Sequence, residues 1–256
     1  MAIAGLFVVG CILGSFLNVV IYRLPRGQSV VRPGSKCPRC GVAIRWYDNV
    51  PVLSYLLLRG KCRDCGERIN ARYPIVELLA GAVPALIYAR YGPGPELALY
   101  WPLAYALIVL SFVDLDLRIL PDKITIPGIA VGLIAAPLLG LETFWNSLIG
   151  AAVAGGALYL IALLGAAVFR KESMGGGDIK LAAMLGAFAG WRDVPLMLFL
   201  AFFSGAIVGL VLVGTHRTRD GDHAVPFGPF LALGALAVLL WGDVILHWYF
   251  ALTGRG

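Results

Sequence analysis

Long apolar blocks alternate with polar segments along this chain. Eight blocks are apolar enough to form helices in a bilayer, and they cover 2–22, 73–91, 97–113, 124–141, 145–169, 179–190, 195–214 and 225–251. A helix that crosses a membrane needs about 20 apolar residues, and the block at 179–190 is too short to cross alone. No basic residue precedes the first block and no small-residue cleavage site follows it, so we expect a span there and not a removed signal peptide. The pattern predicts an all-α, polytopic membrane protein with about eight transmembrane helices.

Composition agrees with a chain that lies in a bilayer. Of its 256 residues, 59% are hydrophobic and 14% are charged, and the mean hydropathy is +0.83. Soluble domains are about 45–50% apolar and about 25% charged. The composition therefore excludes both a water-soluble globule and a disordered chain.

Positive charge is concentrated in one polar segment, residues 23–72. This segment holds 11 of the 21 Lys and Arg residues and three acidic residues, so its net charge is +8 and the rest of the chain carries −2. The concentration argues against a dispersed nucleic-acid-binding surface, and the positive-inside rule places the segment in the cytoplasm. Alternation of eight spans then puts both termini outside and 18 of the 21 positive residues inside. The predicted organisation is a first transmembrane helix at 1–22, a cytoplasmic loop at 23–72 and a seven-helix membrane region at 73–256.

Four of the five cysteines lie in this loop as two Cys-x-x-Cys pairs. They are Cys37, Cys40, Cys62 and Cys65, with 21 residues between the pairs and a glycine after each pair. Such spacing is typical of a Zn²⁺ ion held by four thiolates in a closed, structural site. Two disulfides are the alternative, but a loop in the reducing cytoplasm favours the metal. Because about 50 residues make too small a hydrophobic core, we expect zinc to hold the loop together.

Acidic residues mark the points where apolar blocks meet the cytoplasmic side. Asp114 and Asp116 follow the third block, Asp122 precedes the fourth and Asp178 precedes the sixth. An ionisable group at membrane depth is costly and is therefore a candidate functional residue. Asp122 and Asp178 are also well placed to cap the helices that follow them, whereas Asp114 ends a helix, where a carboxylate is unfavourable. We expect Gly175–Gly177 to form an unwound entry that lets Asp178 lie below the membrane surface.

Two carboxylates brought together at a membrane surface are compatible with several functions. In an aspartic protease, one carboxylate takes a proton from water while its protonated neighbour polarises the scissile carbonyl. A Mg²⁺ site for phosphoryl transfer to lipids and a path for proton or ion translocation use similar residues. A non-catalytic zinc-loop scaffold in the membrane is a further alternative. Glu77, inside the second block, is placed to bind a substrate N-terminus or a cofactor, or only to bond neighbouring polar groups.

Ordered motifs along nearly the whole chain resemble those of the bacterial type IV prepilin peptidases, which are bifunctional leader peptidases and N-methyltransferases. The motifs are Gly14–Pro25 in the first block, the two Cys-x-x-Cys pairs, Arg72–Leu79, the Asp-x-Asp and Leu-Pro-Asp segment at 114–122, Met174–Lys180 and Pro226–Pro229. The resemblance implies an intramembrane aspartic protease of the Gly-x-Gly-Asp type in a bacterial inner membrane, with a peptidase domain at 73–256.

The resemblance also implies a role for each acidic residue. Asp114 and Asp178 match the catalytic pair of the family, and Gly175 and Gly177 match the glycines of its Gly-x-Gly-Asp motif. Supporting positions are Asp116, Asp122 and Lys180. The implied substrates are prepilins of type IV pili and pseudopilins of type II secretion, whose short basic leader is cut after a glycine on the cytoplasmic side.

Methylation of the new N-terminus with S-adenosylmethionine is the second implied activity. Gly60 and Lys61 match positions that the family associates with methyl transfer, and the alternative is that they only form the turn into the second cysteine pair. Glu77 is a third candidate for binding the cofactor. The expected partners are prepilin substrates and membrane lipids, with no nucleic acid. The sequence leaves the oligomeric state and the particular pilin open.

Overall fold

Helices account for almost all regular structure in this protein. The structure, a computed structural model, describes residues 1–169, 174–214 and 225–252. Within these residues the helices are α1 (Ala2–Arg23), α2 (Leu53–Leu57), α3 (Arg72–Tyr91), α4 (Pro95–Leu117), α5 (Asp122–Leu138), α6 (Phe144–Phe169), α7 (Gly176–Ala189), α8 (Val194–Gly214) and α9 (Gly228–Leu252). The same residues form two isolated β-bridges and no strand, so the predicted all-α class is confirmed.

Every predicted apolar block forms a helix, but the helices differ in length. Among the described residues, six are long and apolar enough to cross a membrane: α1, α3, α4, α6, α8 and α9. Helix α5 has 17 residues and α7 has 14. At about 1.5 Å per residue, α7 extends only about 21 Å, less than the roughly 30 Å of a hydrocarbon core. The chain is therefore a multi-pass membrane protein, and the count of eight spans stays a prediction.

The orientation in the membrane rests partly on residues that the structure does not describe. The positive residues Arg170, Lys171, Arg217, Arg219 and Arg255, which enter the predicted charge balance, lie outside the described ranges. The cytoplasmic placement of the loop therefore stays a prediction from the sequence.

Two helix ends differ from the sequence prediction. The third apolar block ends at Val113, whereas α4 continues one turn further to Leu117 and stops where Arg118 adopts a left-handed conformation (φ 55°). The expected unwinding of Gly175–Gly177 is wrong for two of the three glycines, because α7 begins at Gly176. The first N–H groups of a helix have no partner inside it, so glycines at this end do not prevent helix formation.

The chain forms two compact units, residues 1–113 and 114–256. This division falls within α4, between Val113 and Asp114. The predicted boundaries near residues 22 and 72 separate the polar loop from the membrane segments and stay a prediction.

Close packing of α1 against α3 is the main feature of the first unit. A Cβ atom placed on Gly14 would lie 2.8 Å from the Cα atom of Glu77, and one on Gly10 would collide with the backbone oxygen of Ala80. Small residues allow helix backbones to approach closely in lipid. The Gly10 and Gly14 pair therefore forms the contact surface between these two spans.

Helix α7 lies at the centre of the second unit, where it packs against α5, α6 and α9. Eight of its residues are buried, and Leu181, Met184 and Leu185 are almost completely inaccessible. Its first turn carries Asp178. Because neighbours surround the helix, the position of that aspartate is fixed by the packing of the whole unit.

Candidate active site and cysteine cluster

Asp114 is a buried carboxylate at the end of α4. Its residue is only 5% exposed, and its Oδ2 atom accepts a hydrogen bond of 2.9 Å from the backbone N–H of Gly228. Gly228 is the first residue of α9, so this N–H is one of those that a helix leaves unbonded at its start. The positive end of a helix stabilises a negative group placed there. The start of α9 therefore offsets part of the free-energy cost of burying the Asp114 carboxylate.

Asp178 is the third residue of α7 and is half-buried. The backbone N–H of Gly175, the residue before the helix, lies close enough to its carboxylate to favour the negative charge, and the N–H of Asp178 donates to the carbonyl of Gly175 at 3.1 Å. This contact resembles the reciprocal bond of a capping box, so the capping role considered from the sequence describes part of its environment. The Oδ1 atom, however, is buried and has no hydrogen-bond partner among the described residues. One oxygen thus remains available for chemistry.

The fold brings these two aspartates together although 63 residues separate them in the chain. Their carboxylates lie close enough for the two charges to interact. Leu120 packs beside the glycines that adjoin them: a Cβ atom on Gly177 would lie 2.9 Å from its Cβ atom, and one on Gly228 would lie 3.3 Å from its Cδ2 atom. The missing side chains of Gly177 and Gly228 therefore leave the space that this arrangement needs.

The supporting residues form a separate contact. Lys180, the fifth residue of α7, donates to both carboxylate oxygens of Asp122 at 2.8 Å, which joins α7 near its start to the first residue of α5. Asp116 is exposed and is the last residue but one of α4. Lys180 is thus paired with Asp122, and an exposed pair of this kind contributes about 0–1 kcal/mol to stability. Its structural effect is to align two helix starts next to the aspartate pair.

The four loop cysteines converge as their spacing predicts. Their Sγ atoms all lie within 4.8 Å of one another, and those of Cys37 and Cys65 are 3.9 Å apart. A tetrahedron of sulfurs about 2.3 Å from a zinc ion has an edge of about 3.8 Å, so the donor set fits the metal. Backbone N–H groups of Cys40 and Arg39 point at the sulfur of Cys37 and lower its pKa to about 7, which favours the thiolate form. The cluster is thus able to hold a metal ion.

Two matching turns build this cluster. Gly41 donates to the carbonyl of Cys37 and Gly66 donates to the carbonyl of Cys62, at 2.9 and 3.0 Å. Both glycines have positive φ angles, 73° and 71°, which residues with a side chain rarely adopt. The glycine after each cysteine pair is therefore required by the turn that brings the two sulfurs together.

The three candidate cofactor residues lie in the first unit. Gly60 has φ 65° and packs under the ring of Tyr55, and Lys61 follows it with an exposed side chain. Glu77 is 8% exposed within α3, and its Oε2 atom accepts a hydrogen bond of 2.7 Å from the N–H of Val52. Glu77 thus bonds a neighbouring polar group, the backbone N–H of Val52, which lies in the loop eight residues before Gly60.

Comparison with known proteins points to one family. The model of the bacterial peptidase A24 N-terminal domain matches residues 8–91, and that of the type IV leader peptidase family matches residues 101–210. A Pseudomonas putida protein named prepilin leader peptidase/N-methyltransferase is 40% identical over 93% of this chain, and the match covers 90% of that relative. A Pseudomonas aeruginosa protein with the same name is 35% identical over 96% of this chain, and the match covers 92% of that relative. This chain belongs to the type IV prepilin leader peptidase family.

A relative from Myxococcus xanthus with the same printed name is 47% identical over 83% of this chain, and the chain spans 64% of that relative's length. No solved structure matches the chain. Membership in a leader peptidase family makes this protein an enzyme, which excludes the non-catalytic scaffold. The leader peptidase match, residues 101–210, includes both aspartates of the pair, and the N-terminal match includes all four loop cysteines.

Sequence reasoning assigned no role to two residues at the aspartate pair, Gly228 and Leu120. Gly228 belongs to the Pro226–Pro229 motif, which the resemblance includes without a function. That motif is therefore the sequence signal that could have marked Gly228 as a candidate site residue. Leu120 has no comparable signal, because a leucine between two helices is ordinary and its contacts come from distant parts of the chain.

Proposed function

We propose that this peptidase uses Asp114 and Asp178 as an aspartic catalytic pair. The main support is that the two carboxylates interact within one compact unit. The N–H of Gly228 holds Asp114 in place, and Oδ1 of Asp178 has no hydrogen-bond partner among the described residues. Close carboxylates do not both ionise readily, so such a pair shares one proton. This is the state that aspartic proteases use.

The Gly228 contact suggests how the two roles are divided. We assign the negative charge to Asp114, which then accepts a proton from water as the water oxygen attacks the scissile carbonyl carbon. Asp178 carries the shared proton and donates a hydrogen bond to the carbonyl oxygen. When the tetrahedral intermediate collapses, the carbon–nitrogen bond breaks and a proton passes to the amine nitrogen of the leaving segment.

The proposed substrate is a prepilin or pseudopilin with a short basic leader, cut after glycine on the cytoplasmic side of a bacterial inner membrane. The relatives' printed names supply the substrate class, and the positive loop supplies the orientation. An active site at the end of a spanning helix suits such a substrate, because the hydrophobic helix of the substrate stays in lipid while water reaches the bond.

Zinc is the metal that we propose for Cys37, Cys40, Cys62 and Cys65. The sulfur distances and the closed four-thiolate set support a structural ion. When bound, the ion would cross-link the two turns of the loop. The residues themselves supply thiolates, and the backbone N–H groups aimed at Cys37 stabilise that charge.

Methyl transfer from S-adenosylmethionine is the second proposed activity, with Gly60, Lys61 and Glu77 as candidate residues. The left-handed turn at Gly60 packs beside the Tyr55 ring, and the exposed Lys61 follows it, so an apolar ring and a charged side chain lie close together at the turn. S-adenosylmethionine supplies the methyl group, and the protein's task is to hold the new N-terminal amine in its neutral, nucleophilic form. Glu77 accepts a hydrogen bond from the N–H of Val52, so its proposed role is to hold the loop segment that leads to Gly60.

A mass measurement of the product tests both activities at once. The purified chain is incubated with a basic-leader prepilin, with and without S-adenosylmethionine, and the mature N-terminus is weighed. We expect cleavage after glycine in both samples and one added methyl group only with the cofactor. An uncut substrate in both samples would contradict the peptidase assignment, and a cut but unmethylated product with the cofactor would contradict the second activity.

A further inference from the structure

Helix α2, in the polar loop, presents an apolar face to its surroundings. Leu53, Leu56 and Leu57 are 59%, 63% and 83% exposed. Their spacing of three and four residues places them on one side of the helix. Trp46, in the 3₁₀ turn that packs against α2, is 82% exposed. Contiguous exposed apolar side chains of this kind mark an interaction surface.

Two hydrogen bonds fix the depth of the segment that precedes α2. Val52 donates its N–H to Glu77, the sixth residue of the spanning helix α3, at 2.7 Å. Ser15 of α1 donates to the side-chain oxygen of Asn49 at 3.4 Å. Residues 49–52 therefore lie beside two membrane helices and not above them.

The lengths of these helices show that both contacts are at membrane level. Helix α1 has 22 residues and α3 has 20, so they extend about 33 and 30 Å. A hydrocarbon core is about 30 Å thick, so neither helix has a spare turn outside the bilayer. Ser15 lies about 12 Å from the end of α1, and Glu77 lies about 8 Å from the start of α3. Asn49 and Val52 are held at those depths.

Charge next to the apolar face fits the surface of an anionic membrane. Arg59 and Lys61 lie two and four residues after the end of α2, and both are exposed. The loop as a whole carries a net charge of +8. Basic residues beside an apolar helix face are typical of interfacial helices that bind anionic lipids, and tryptophan is enriched at the same level.

We propose that α2 is an interfacial helix whose Leu53, Leu56 and Leu57 face inserts into the boundary between lipid headgroups and acyl chains. Arg59 and Lys61 lie against anionic headgroups. The partner of this surface is the bilayer itself. The loop is then held to the membrane at three places, its two ends and α2, and the Gly60–Lys61 turn lies at the lipid surface.

Lipid-side fluorescence quenching tests this directly in the full chain. A small fluorescent amino acid replaces Leu57, which contacts little else, and the protein is reconstituted in phosphatidylglycerol and phosphatidylethanolamine vesicles that contain brominated acyl chains. The same label at Ile12, exposed on α1, is the lipid-facing reference, and at Arg39, exposed in the first cysteine turn, it is the water-facing reference. Acrylamide serves as the quencher from water.

We expect the bromolipid to quench the label at position 57 at least about two-fold more than the label at position 39, and about as much as the label at position 12. Acrylamide should quench the label at position 39 more than the labels at positions 57 and 12. Replacing phosphatidylglycerol with phosphatidylcholine is expected to reduce the quenching at position 57 and not at position 12. A label at position 57 that acrylamide quenches and bromolipid does not would overturn the proposal. Bromolipid quenching that disappears when a prepilin is added would overturn it in favour of a substrate surface. The readout requires no catalysis, so it is independent of the proposed reaction.

Discussion

Gly228 is the residue that most directly connects the fold to the proposed chemistry. Its N–H donates to Asp114, and the space where a side chain would stand is taken by the Asp114 carboxylate and by Leu120. A Cβ atom there would lie 2.7 Å from Oδ2 of Asp114, which is shorter than side-chain contacts allow. The carboxylate is the movable partner, so it would rotate away from the N–H.

Gly228→Ala is therefore expected to slow cleavage while the protein still folds. A misplacement of about 1 Å at a reacting group costs up to about 10²-fold in rate, and we expect a loss of roughly ten-fold or more in kcat. The measurement is the initial rate of prepilin cleavage by the purified variant. Gly209→Ala on α8, where an added Cβ atom meets nothing within 4 Å, is the matched control and should keep the rate of the unmodified chain. Equal rates for the two variants would contradict the role of Gly228.

At the residue level, the sequence pointed to groups whose chemistry is unusual for their surroundings. Asp114 and Asp178 stand out because carboxylates are rare beside apolar blocks, and the four cysteines stand out by their spacing. The structure places each aspartate near the other and gathers the four sulfurs. Gly228 lies in the Pro226–Pro229 motif but received no role, because its contribution is a contact with Asp114, 114 residues away in the chain, and the motif does not show that contact.

At the level of elements, the two cysteine turns are the clearest case of a local structure that is able to hold a metal ion. Regular structure in the loop is limited to one short α-helix, two 3₁₀ turns and two isolated β-bridges, one bridge beside each cysteine turn. Arg63 adds a fork of hydrogen bonds of 2.6–3.0 Å to Asp48, which lowers the pKa of that carboxyl. So few contacts give the loop little stability of its own, and the metal is expected to supply the rest.

Cys40→Ser is expected to remove the metal from the loop. The purified unmodified chain should carry about one zinc ion, and the variant much less, because a serine hydroxyl is a poor substitute for a thiolate ligand. Metal content is measured by mass spectrometry after purification without chelator. Cys11→Ala, which removes the cysteine buried in α1, should keep the full complement. A variant at position 40 with undiminished zinc would refute the four-thiolate site.

Hydrophobic patterning located the helices well but their ends less well. All eight predicted blocks are helical, since a long apolar run in lipid has no alternative that satisfies its backbone. Helix α4 passes Asp114 and α7 includes two of the three glycines, because backbone hydrogen bonding continues past the point where hydropathy stops. The lengths of α5 and α7 leave the number of full spans to experiment.

At the level of the whole molecule, the two family matches and the two units carry different candidate activities. The N-terminal match, residues 8–91, lies in the first unit with the cysteine cluster and the candidate methyl-transfer residues. The aspartate pair lies in the second unit. Sequence motifs distributed over nearly the whole chain identified the family, whereas membrane contact by α2 emerged only from hydrogen bonds to Ser15 and Glu77.

If one carboxylate pair performs the cleavage, an amide substitution at either aspartate of the intact chain should abolish most of the activity. Prepilin cleavage is measured in bilayers for Asp114→Asn, Asp178→Asn and, as a control, Glu96→Gln at the opposite end of α4. General acid and base groups typically contribute about 10²–10⁴-fold, so each asparagine variant should lose at least about 10²-fold in rate, with normal membrane insertion and metal content. The Glu96 variant should cleave like the unmodified chain. Undiminished cleavage by either asparagine variant would contradict the account.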